Sequence, residues 1–265
     1  MLYWGDNMKP VIIAHRGASA LARHENTLEA FEIAISIGAD YAEFDIRQTK
    51  DKELIVFHND NINNLKINSI TYNELCNITS EKGYRVPLLS EVLKLCCGRI
   101  KLDIELKESG YENRIISMVK ELYPYGDFMM KSFLDTTVAR IKAIDPDITT
   151  GLLLGFYKGD LKRRINEYFP ERRLRSCHAD FVSPHYQLAT AEFITRMHLL
   201  RKKVYVWTIN DPKQIGKYIL RRADGIISDT PDAALHLREG YHLINKIKNK
   251  LEDHSVFATI INKNK

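Results

Sequence analysis

Short apolar runs alternate with amphipathic stretches along most of this sequence, and that alternation limits the folds open to the chain. Strands separated by helices predict a parallel sheet. A chain of 265 residues has room for eight strand–helix units, so we predict an α/β fold, a (β/α)8 TIM barrel. The eight predicted strands are Val11–Ala14, Tyr41–Asp45, Ile100–Leu106, Phe128–Phe133, Thr149–Leu154, Asp180–Ser183, Val204–Trp207 and Gly225–Ser228.

An open, doubly wound parallel sheet is the alternative fold for such an alternation. That fold commonly has a glycine-rich dinucleotide-binding loop after its first strand. Here His15-Arg16-Gly17 follows the first strand instead, which favours the barrel. Amphipathic spacing predicts helices around Leu28–Ile35, where Asn26-Thr27 offers an N-cap, and in two later stretches, Ile115–Leu122 and Leu188–Met197.

No low-complexity linker divides the sequence, so we predict a single domain over residues 1–265. A polar insertion at about 59–83 follows the second strand and a short additional strand, Leu54–Phe57. Within it, Ile70–Leu75 predicts a capped helical turn. Long insertions at the catalytic end of a barrel commonly shape access to the site. Residues from about 241 to 265 predict a terminal helix followed by a frayed end.

Composition argues against several classes of partner. Hydrophobic residues make up 45% of the chain and charged residues 28%, which is ordinary for a globular protein. The net charge of +5 is too small to predict nucleic-acid binding, although it mildly favours anionic ligands. Three basic clusters are interpreted as solvated helix faces or loops: Lys162–Arg164, Arg172–Arg175 and Arg201–Lys203.

The sequence also predicts a cytoplasmic location. Its four cysteines have neither a disulfide-like nor a metal-binding spacing. Residues Met1–Pro10 lack the basic and apolar regions of a signal peptide. No apolar run is long enough to span a bilayer, so we expect no stable membrane insertion. The oligomeric state is left open.

Carboxylates concentrate where the predicted strands end. Glu43 and Asp45 are two residues apart on one strand and therefore face the same side, and Glu105 lies on the next barrel strand. Three such oxygen ligands favour a hard divalent ion, Mg²⁺ or Ca²⁺. Lys107 continues the alternation and could pair with a carboxylate or a phosphate. Taken alone, each pattern also fits an ion-paired strand end.

Two of the nine histidines follow apolar, strand-like runs. These are His15, after the first strand, and His58, after the short additional strand, and we expect both to enter the barrel and emerge at the same rim. A histidine titrates near neutrality and suits general acid or base catalysis. Arg16 adds a guanidinium that matches phosphate oxygens. Carboxylates for a metal, two histidines and two cations together are what phosphodiester hydrolysis requires.

From Ile12 to about Pro231 the sequence resembles the glycerophosphodiester phosphodiesterase family. The motifs that carry the resemblance are, in order, Ala14–Gly17, Glu25–Phe31, Gly38–Asp40, Glu43–Asp45, Gln48–Asp51, Val56–His58, Pro87-Leu88, Ile104–Lys107, Val206–Asn210 and Asp224–Pro231. The resemblance implies a barrel and hydrolysis of small glycerophosphodiesters to glycerol 3-phosphate and an alcohol. Such an enzyme is a phosphoric diester hydrolase.

The resemblance also implies a role for individual residues. His15 and His58 match the acid–base pair, and Arg16 and Lys107 match phosphate-facing cations. Trp207 matches a residue that lines the pocket. The remaining matches are the metal ligands Glu43, Asp45 and Glu105, and a supporting acid, Glu25.

This sequence departs from the family pattern beside the second histidine. The family usually has an aspartate there, whereas this chain has Asn59, followed by Asp60. The change could alter the orientation or basicity of His58. A lipid phosphodiesterase of the lysophospholipase D or phospholipase C type is one alternative function, and a non-catalytic binding barrel is another. The alcohol group, the metal and the choice between water and a substrate hydroxyl as nucleophile are left open.

Overall fold

A computed structural model describes residues 9–243 and shows a closed barrel of eight parallel strands. Along the chain the strands are β1 Val11–Ala14, β2 Tyr41–Gln48, β3 Leu54–Val56, β4 Asn61–Ile62, β5 Leu65–Lys66, β6 Lys101–Leu106, β7 Phe128–Ser132, β8 Thr150–Leu154, β9 Phe181–Pro184, β10 Lys203–Val206 and β11 Gly225–Ser228. β1 pairs in parallel with both β2 and β11, which closes the barrel. The predicted (β/α)8 fold is confirmed.

Helices follow the barrel strands and cover their outer side, apart from α2, which belongs to the insertion. They are α1 Leu28–Ser36, α2 Tyr72–Ser80, α3 Leu89–Cys96, α4 Glu112–Lys120, α5 Asp135–Ile144, α6 Leu161–Tyr168, α7 Glu171–Cys177, α8 Ala191–Leu199 and α9 Pro212–Leu220, and a further helical segment spans 231–243. Thr27 is the N-cap of α1 and accepts from the backbone N–H of Ala30, as its sequence predicts. None of the described helices is long and apolar enough to cross a membrane.

Two apolar layers hold the barrel together. Inside it, Ile13, Met129, Phe181, Tyr205 and Ile227 form a small buried cluster. Outside it, larger clusters join the strands to the helices, as strands covered by helices require. The polar end of the barrel interior therefore rests on a packed apolar plug, which limits water access from the opposite end.

The insertion after β2 forms a small structure with its own core. β3 runs antiparallel to β2, and β4 and β5 form a hairpin. Helix α2 begins with a capping box in which Thr71 and Glu74 bond reciprocally, as predicted. The side chains that pack together here are Ile55, Ile62, Ile67, Ile70, Leu75 and Val86.

Some predicted boundaries need correction. α8 begins at Ala191 because Thr190 is its N-cap, so Leu188 belongs to the preceding loop although it is buried. The final helix begins at 231, before the predicted 241, and the rest of the predicted tail lies outside the described residues, as do residues 1–8. The extent of the domain, 1–265, stays a prediction.

Candidate active site

Three carboxylates converge inside the barrel at the carboxyl ends of neighbouring strands. Glu43 and Asp45 lie on β2, and Glu105 lies opposite Asp45 on β6. Their exposed fractions are 1%, 1% and 5%. One oxygen from each lies within 4.8 Å of the others. The predicted convergence is therefore present in the folded chain.

Two lysines, Lys131 buried and Lys107 partly buried, neutralise part of this acidic cluster. Lys107 Nζ lies 2.8 Å from Asp45 Oδ1 and 2.5 Å from Glu105 Oε1. On β7, Lys131 Nζ lies 2.6 Å from Asp103 Oδ2 and 3.3 Å from Glu43 Oε1. Each lysine thus bridges two carboxylates on adjacent strands, which is how buried charges are usually accommodated.

Burial and the neighbouring cations shift the pKa values of these carboxylates in opposite directions. Burial raises the pKa of Glu105 to about 7, although Lys107 opposes the shift. Burial likewise raises the pKa of Asp103 to about 6 against the attraction of Lys131. For Asp45 burial is outweighed by Lys107 and Arg16, which together hold its pKa well below the usual range. Additional positive charge at this cluster would stabilise all of these carboxylates in ionised form.

The three carboxylates fit a divalent cation. They offer only oxygen atoms, which Mg²⁺ and Ca²⁺ prefer, and they are already gathered and shielded from solvent. Four carboxylates, counting Asp103, face three cationic side chains, Lys107, Lys131 and Arg16. Glu43, Asp45 and Glu105 are the residues that could hold such an ion.

The turn after β1 places Arg16 against the same carboxylates. Its backbone N–H donates to Glu43 Oε2 at 3.0 Å, and its guanidinium lies 3.3 Å from Asp45 and 2.9 Å from Glu25. Gly17 has a φ of +75°, and a Cβ at this position would lie 2.7 Å from the backbone of Ala30. A glycine is therefore required for the turn to pack on α1.

His15 is held by a carboxylate that directly follows the last barrel strand. Its Nδ1 lies 2.6 Å from Asp229 Oδ1, and its Nε2 lies 4.0 Å from Glu43 Oε2. Asp229 is itself fixed by Ser19 at 2.7 Å and by Asn210 at 2.6 Å. This network orients the imidazole so that Nε2 faces the acidic cluster.

His58 reaches the site from the insertion. It follows β3, which pairs antiparallel with β2 outside the barrel, so the expectation that its strand would enter the barrel is wrong. Its Nδ1 lies 2.9 Å from Asn59 Oδ1, and Arg47 donates to its backbone carbonyl at 2.8 Å. Burial and the nearby charge of Lys107 lower the pKa of His58. At neutral pH its imidazole is therefore predominantly uncharged.

The cluster opens into a pocket of about 100 Å³ at the rim of the barrel. Both histidines line it, and Trp207, Phe133 and Leu153 form an apolar wall. Trp207 donates from Nε1 to the carbonyl of Ser183 at 2.7 Å, and Phe133 packs edge-on against it. The predicted pocket-lining position of Trp207 agrees with this geometry.

A second, larger cavity of about 290 Å³ begins on the other side of His58. The insertion supplies much of its lining, including Asn59, Asn61, Asn63 and Lys82. Glu25 and the stacked rings of His24 and Tyr84, 4.4 Å apart, also line it. The insertion thus borders the candidate site and forms much of a largely polar cavity that adjoins it.

All nine side chains selected from the sequence lie at this rim, but three partners were not predicted. Lys131 stands within an apolar strand pattern and gives no sign of facing acids. Asp229 follows the last strand, and only barrel closure brings it to His15. Asn26, expected only as part of a cap, donates to Asp45 at 2.9 Å.

Comparison with known proteins agrees with this geometry. The sequence model of the Glycerophosphoryl diester phosphodiesterase family matches residues 15–233. A glycerophosphodiester phosphodiesterase from Bacillus altitudinis is 30% identical over 249 residues, covering 86% of this chain and 98% of the relative. A human protein named lysophospholipase D is 26% identical over 264 residues, covering 83% of each chain.

Solved structures resemble this one over most of its length. A glycerophosphodiester phosphodiesterase from Thermotoga maritima has a TM-score of 0.70 and 26% identity, covering 86% of this chain and 98% of that one. A phosphodiesterase from Oleispira antarctica, solved in complex with the product sn-glycerol-3-phosphate, has a TM-score of 0.74 and shares the fold at 22% identity, covering 87% and 97%. This chain belongs to the glycerophosphoryl diester phosphodiesterase family and is an enzyme that hydrolyses phosphoric diesters.

Proposed function

We propose that this protein hydrolyses small glycerophosphodiesters to glycerol 3-phosphate and an alcohol, with a divalent ion, Mg²⁺ or Ca²⁺, and a histidine pair. The observation that supports this best is the buried convergence of Glu43, Asp45 and Glu105 beside a pocket that both histidines, Glu43 and Glu105 line. These three residues would hold the ion, which supplies positive charge to the phosphate oxygens when it is bound.

Two cations of the chain itself would orient the phosphate. Arg16 presents a guanidinium fixed on both sides by carboxylates, and Lys107 presents an ammonium at the floor of the same pocket. Because both groups are already positioned, they need little rearrangement as negative charge develops on the phosphoryl oxygens. Trp207 and Phe133 exclude water from the adjoining wall and contact the less polar part of the substrate.

The histidines would move the protons. His15 is anchored through Nδ1 to Asp229 and His58 through Nδ1 to Asn59, so both rings leave Nε2 for the reaction. One ring accepts a proton from the nucleophile, and the other donates one to the departing alkoxide. The nucleophile is either water or a hydroxyl of the substrate. The second route passes through a cyclic phosphate, which phosphorus NMR of a single-turnover reaction would reveal.

The larger cavity would select one of the two groups esterified to the phosphate. It adjoins the reaction pocket through His58, and its polar lining suits a hydroxylated or charged group better than an acyl chain. Since residues of the insertion form this lining, we propose that the insertion tunes substrate choice. Replacing the β4–β5 hairpin by a short turn should change the relative rates among glycerophosphodiesters.

A metal-dependent assay tests the proposal. Hydrolysis of glycerophosphocholine is measured after chelation and after return of Mg²⁺ or Ca²⁺, together with calorimetric binding of each ion. We expect activity only with an added ion, and Glu43→Gln should abolish both binding and activity. His15→Ala and His58→Ala should lower turnover about 10²–10⁴-fold while ion binding persists. Undiminished hydrolysis in chelator, or in both histidine variants, would refute the mechanism.

A further inference from the structure

The short helix α6 exposes its apolar side chains to solvent. Leu161 and Ile165 are four residues apart and lie on one face of the helix, and Phe169 follows as its C-cap. Their exposed fractions are 68%, 49% and 55%. A soluble surface helix usually buries such a stripe, and a grouped apolar surface commonly marks an interaction site.

Other side chains of the helix, beside the exposed apolar ones, pack inward. Glu167 is 6% exposed, and its carboxylate lies 3.0 Å from Arg173 Nη1. Tyr168 is partly buried against Phe193. The helix is thus fixed to the barrel through charged and aromatic contacts, so its outward apolar stripe is a stable feature of the fold.

Basic residues surround the stripe. Lys158 and Lys162 are exposed, whereas Arg163 and Arg164 stack on the rings of Tyr157 and Phe156 at 3.4 and 4.4 Å. The prediction that 162–164 is a simple solvated face is therefore only partly right. The two acids of this segment are occupied, since Asp160 caps the helix and Glu167 is paired with Arg173. The outward surface is cationic as well as apolar.

The helix lies at the rim of the active site. It begins soon after β8, whose Leu153 lines the reaction pocket. Phe156, on which Arg164 stacks, packs against His185 at 5.8 Å, and His185 meets pocket-lining Trp207 at 5.2 Å. A surface that binds this helix would therefore bring its own molecules close to the pocket.

We propose that α6 docks the enzyme on an anionic lipid surface. The stripe of Leu161, Ile165 and Phe169 would enter the boundary between headgroups and acyl chains, and the lysines would contact the lipid phosphates. The positive charge of Lys158 and Lys162 beside the stripe favours an anionic lipid surface over a neutral apolar partner.

Vesicle binding by the full chain tests this proposal without hydrolysis and so independently of the proposed function. Sedimentation with vesicles of phosphatidylglycerol and phosphatidylcholine is compared with vesicles of phosphatidylcholine alone, using the Glu43→Gln variant. We expect binding to the anionic vesicles, weakened by salt. Leu161→Ser/Ile165→Ser should weaken vesicle binding about tenfold or more, because serine lacks the apolar side chain whose transfer from water to the lipid is favourable.

A matched control uses two leucines at the other end of the barrel. Leu199 and Leu220, each 66% exposed, are the last residues of α8 and α9. Leu199→Ser/Leu220→Ser should leave vesicle binding unchanged. Lys158→Glu/Lys162→Glu should abolish the preference for anionic vesicles. The proposal is overturned if the wild-type chain ignores anionic vesicles, if the control pair weakens binding as much as the α6 pair, or if the stripe instead forms a dimer that the α6 pair dissociates.

Discussion

The Nδ1 atom of His58 lies 2.9 Å from the side-chain oxygen of Asn59, at the position where the family usually has an aspartate. An amide oxygen accepts from Nδ1–H as a carboxylate does, so Asn59 preserves the orientation of the ring. It does not supply the negative charge that would favour the imidazolium form. Asn59 therefore gives His58 an acceptor for Nδ1–H without the negative charge that an aspartate at this position would add.

Asn59→Asp should move one limb of the pH–rate profile to higher pH. Burial and Lys107 lower the pKa of His58 at present, and an added carboxylate raises it by stabilising the protonated ring. The direction is the same whether the reaction uses the neutral or the protonated ring. We expect a shift of about one pH unit or less, because the pair is partly exposed.

The profile is measured as kcat against pH with saturating metal. Asn59→Leu is the contrasting variant, because it removes the acceptor and should move the same limb to lower pH. The limbs are macroscopic properties of both histidines. An unmoved profile in both variants would mean that His58 does not titrate in the catalytic cycle.

Lys131→Met should destabilise the fold. Lys131 and Asp103 are 1% and 0% exposed and lie 2.6 Å apart, so the substitution leaves a buried carboxylate without its cation. Breaking such a pair typically costs about 3–5 kcal/mol of unfolding free energy. Asp103→Leu/Lys131→Met should recover part of this loss, because no charge is left unpaired at position 103, although Glu43 still lacks its contact with Lys131.

Urea unfolding measures these differences. Arg23→Ala is the control, since Arg23 pairs with Glu29 while its side chain is 79% exposed, and a surface pair contributes about 1 kcal/mol or less. If Lys131→Met unfolds at the same urea concentration as the wild-type chain, the pair does not stabilise the barrel.

Lys82→Glu should change which diesters the enzyme prefers. Lys82 lines the larger cavity and lies 3.4 Å from Asn63 of the hairpin region. Reversing its charge should favour a diester with a cationic alcohol, such as glycerophosphocholine, over one with a neutral polyol. Lys66→Glu changes an exposed lysine of the same insertion outside the cavity lining and serves as the control. The measurement is the ratio of kcat/KM for glycerophosphocholine to kcat/KM for the neutral diester. If this ratio is the same in Lys82→Glu and Lys66→Glu, the cavity does not determine substrate choice.

The barrel and much of the candidate site could be predicted because both depend on local spacing. Glu43 and Asp45 share a face through the period of two in a strand, and the predicted barrel strands are short, mostly apolar segments between amphipathic stretches. The relation of Lys131 to Asp103 was hidden, because it depends on strand pairing and on which side of β7 faces inward. The spacing of residues within a single strand reveals neither the pairing of strands nor the side of β7 that faces inward.

The position of His58 also could not be fully predicted from the sequence. An apolar run before a histidine predicts a strand, but not whether that strand joins the barrel. β3 is held by its antiparallel pairing with β2 and by contacts within the insertion, which are properties of the whole fold. His58 nevertheless reaches the rim, because an antiparallel strand beside β2 ends near the carboxylates from the other direction.

Asp229→Ala should lower turnover while metal binding persists. Asp229 accepts from His15 Nδ1 at 2.6 Å and is itself fixed by Ser19 and Asn210. Without it the imidazole loses both its orientation and its fixed tautomer, which proton transfer requires. We expect kcat to fall about 10²-fold or more with little change in KM, since Asp229 acts through His15.

The control for this prediction is Asp232→Ala, which removes a nearby exposed carboxylate and should leave kcat unchanged. Calorimetric titration with Mg²⁺ distinguishes positioning from damage to the metal cluster, because Glu43, Asp45 and Glu105 remain in place. If His15→Ala and His15→Ala/Asp229→Ala have the same kcat, Asp229 acts only through His15; a further loss in the double variant would contradict that assignment.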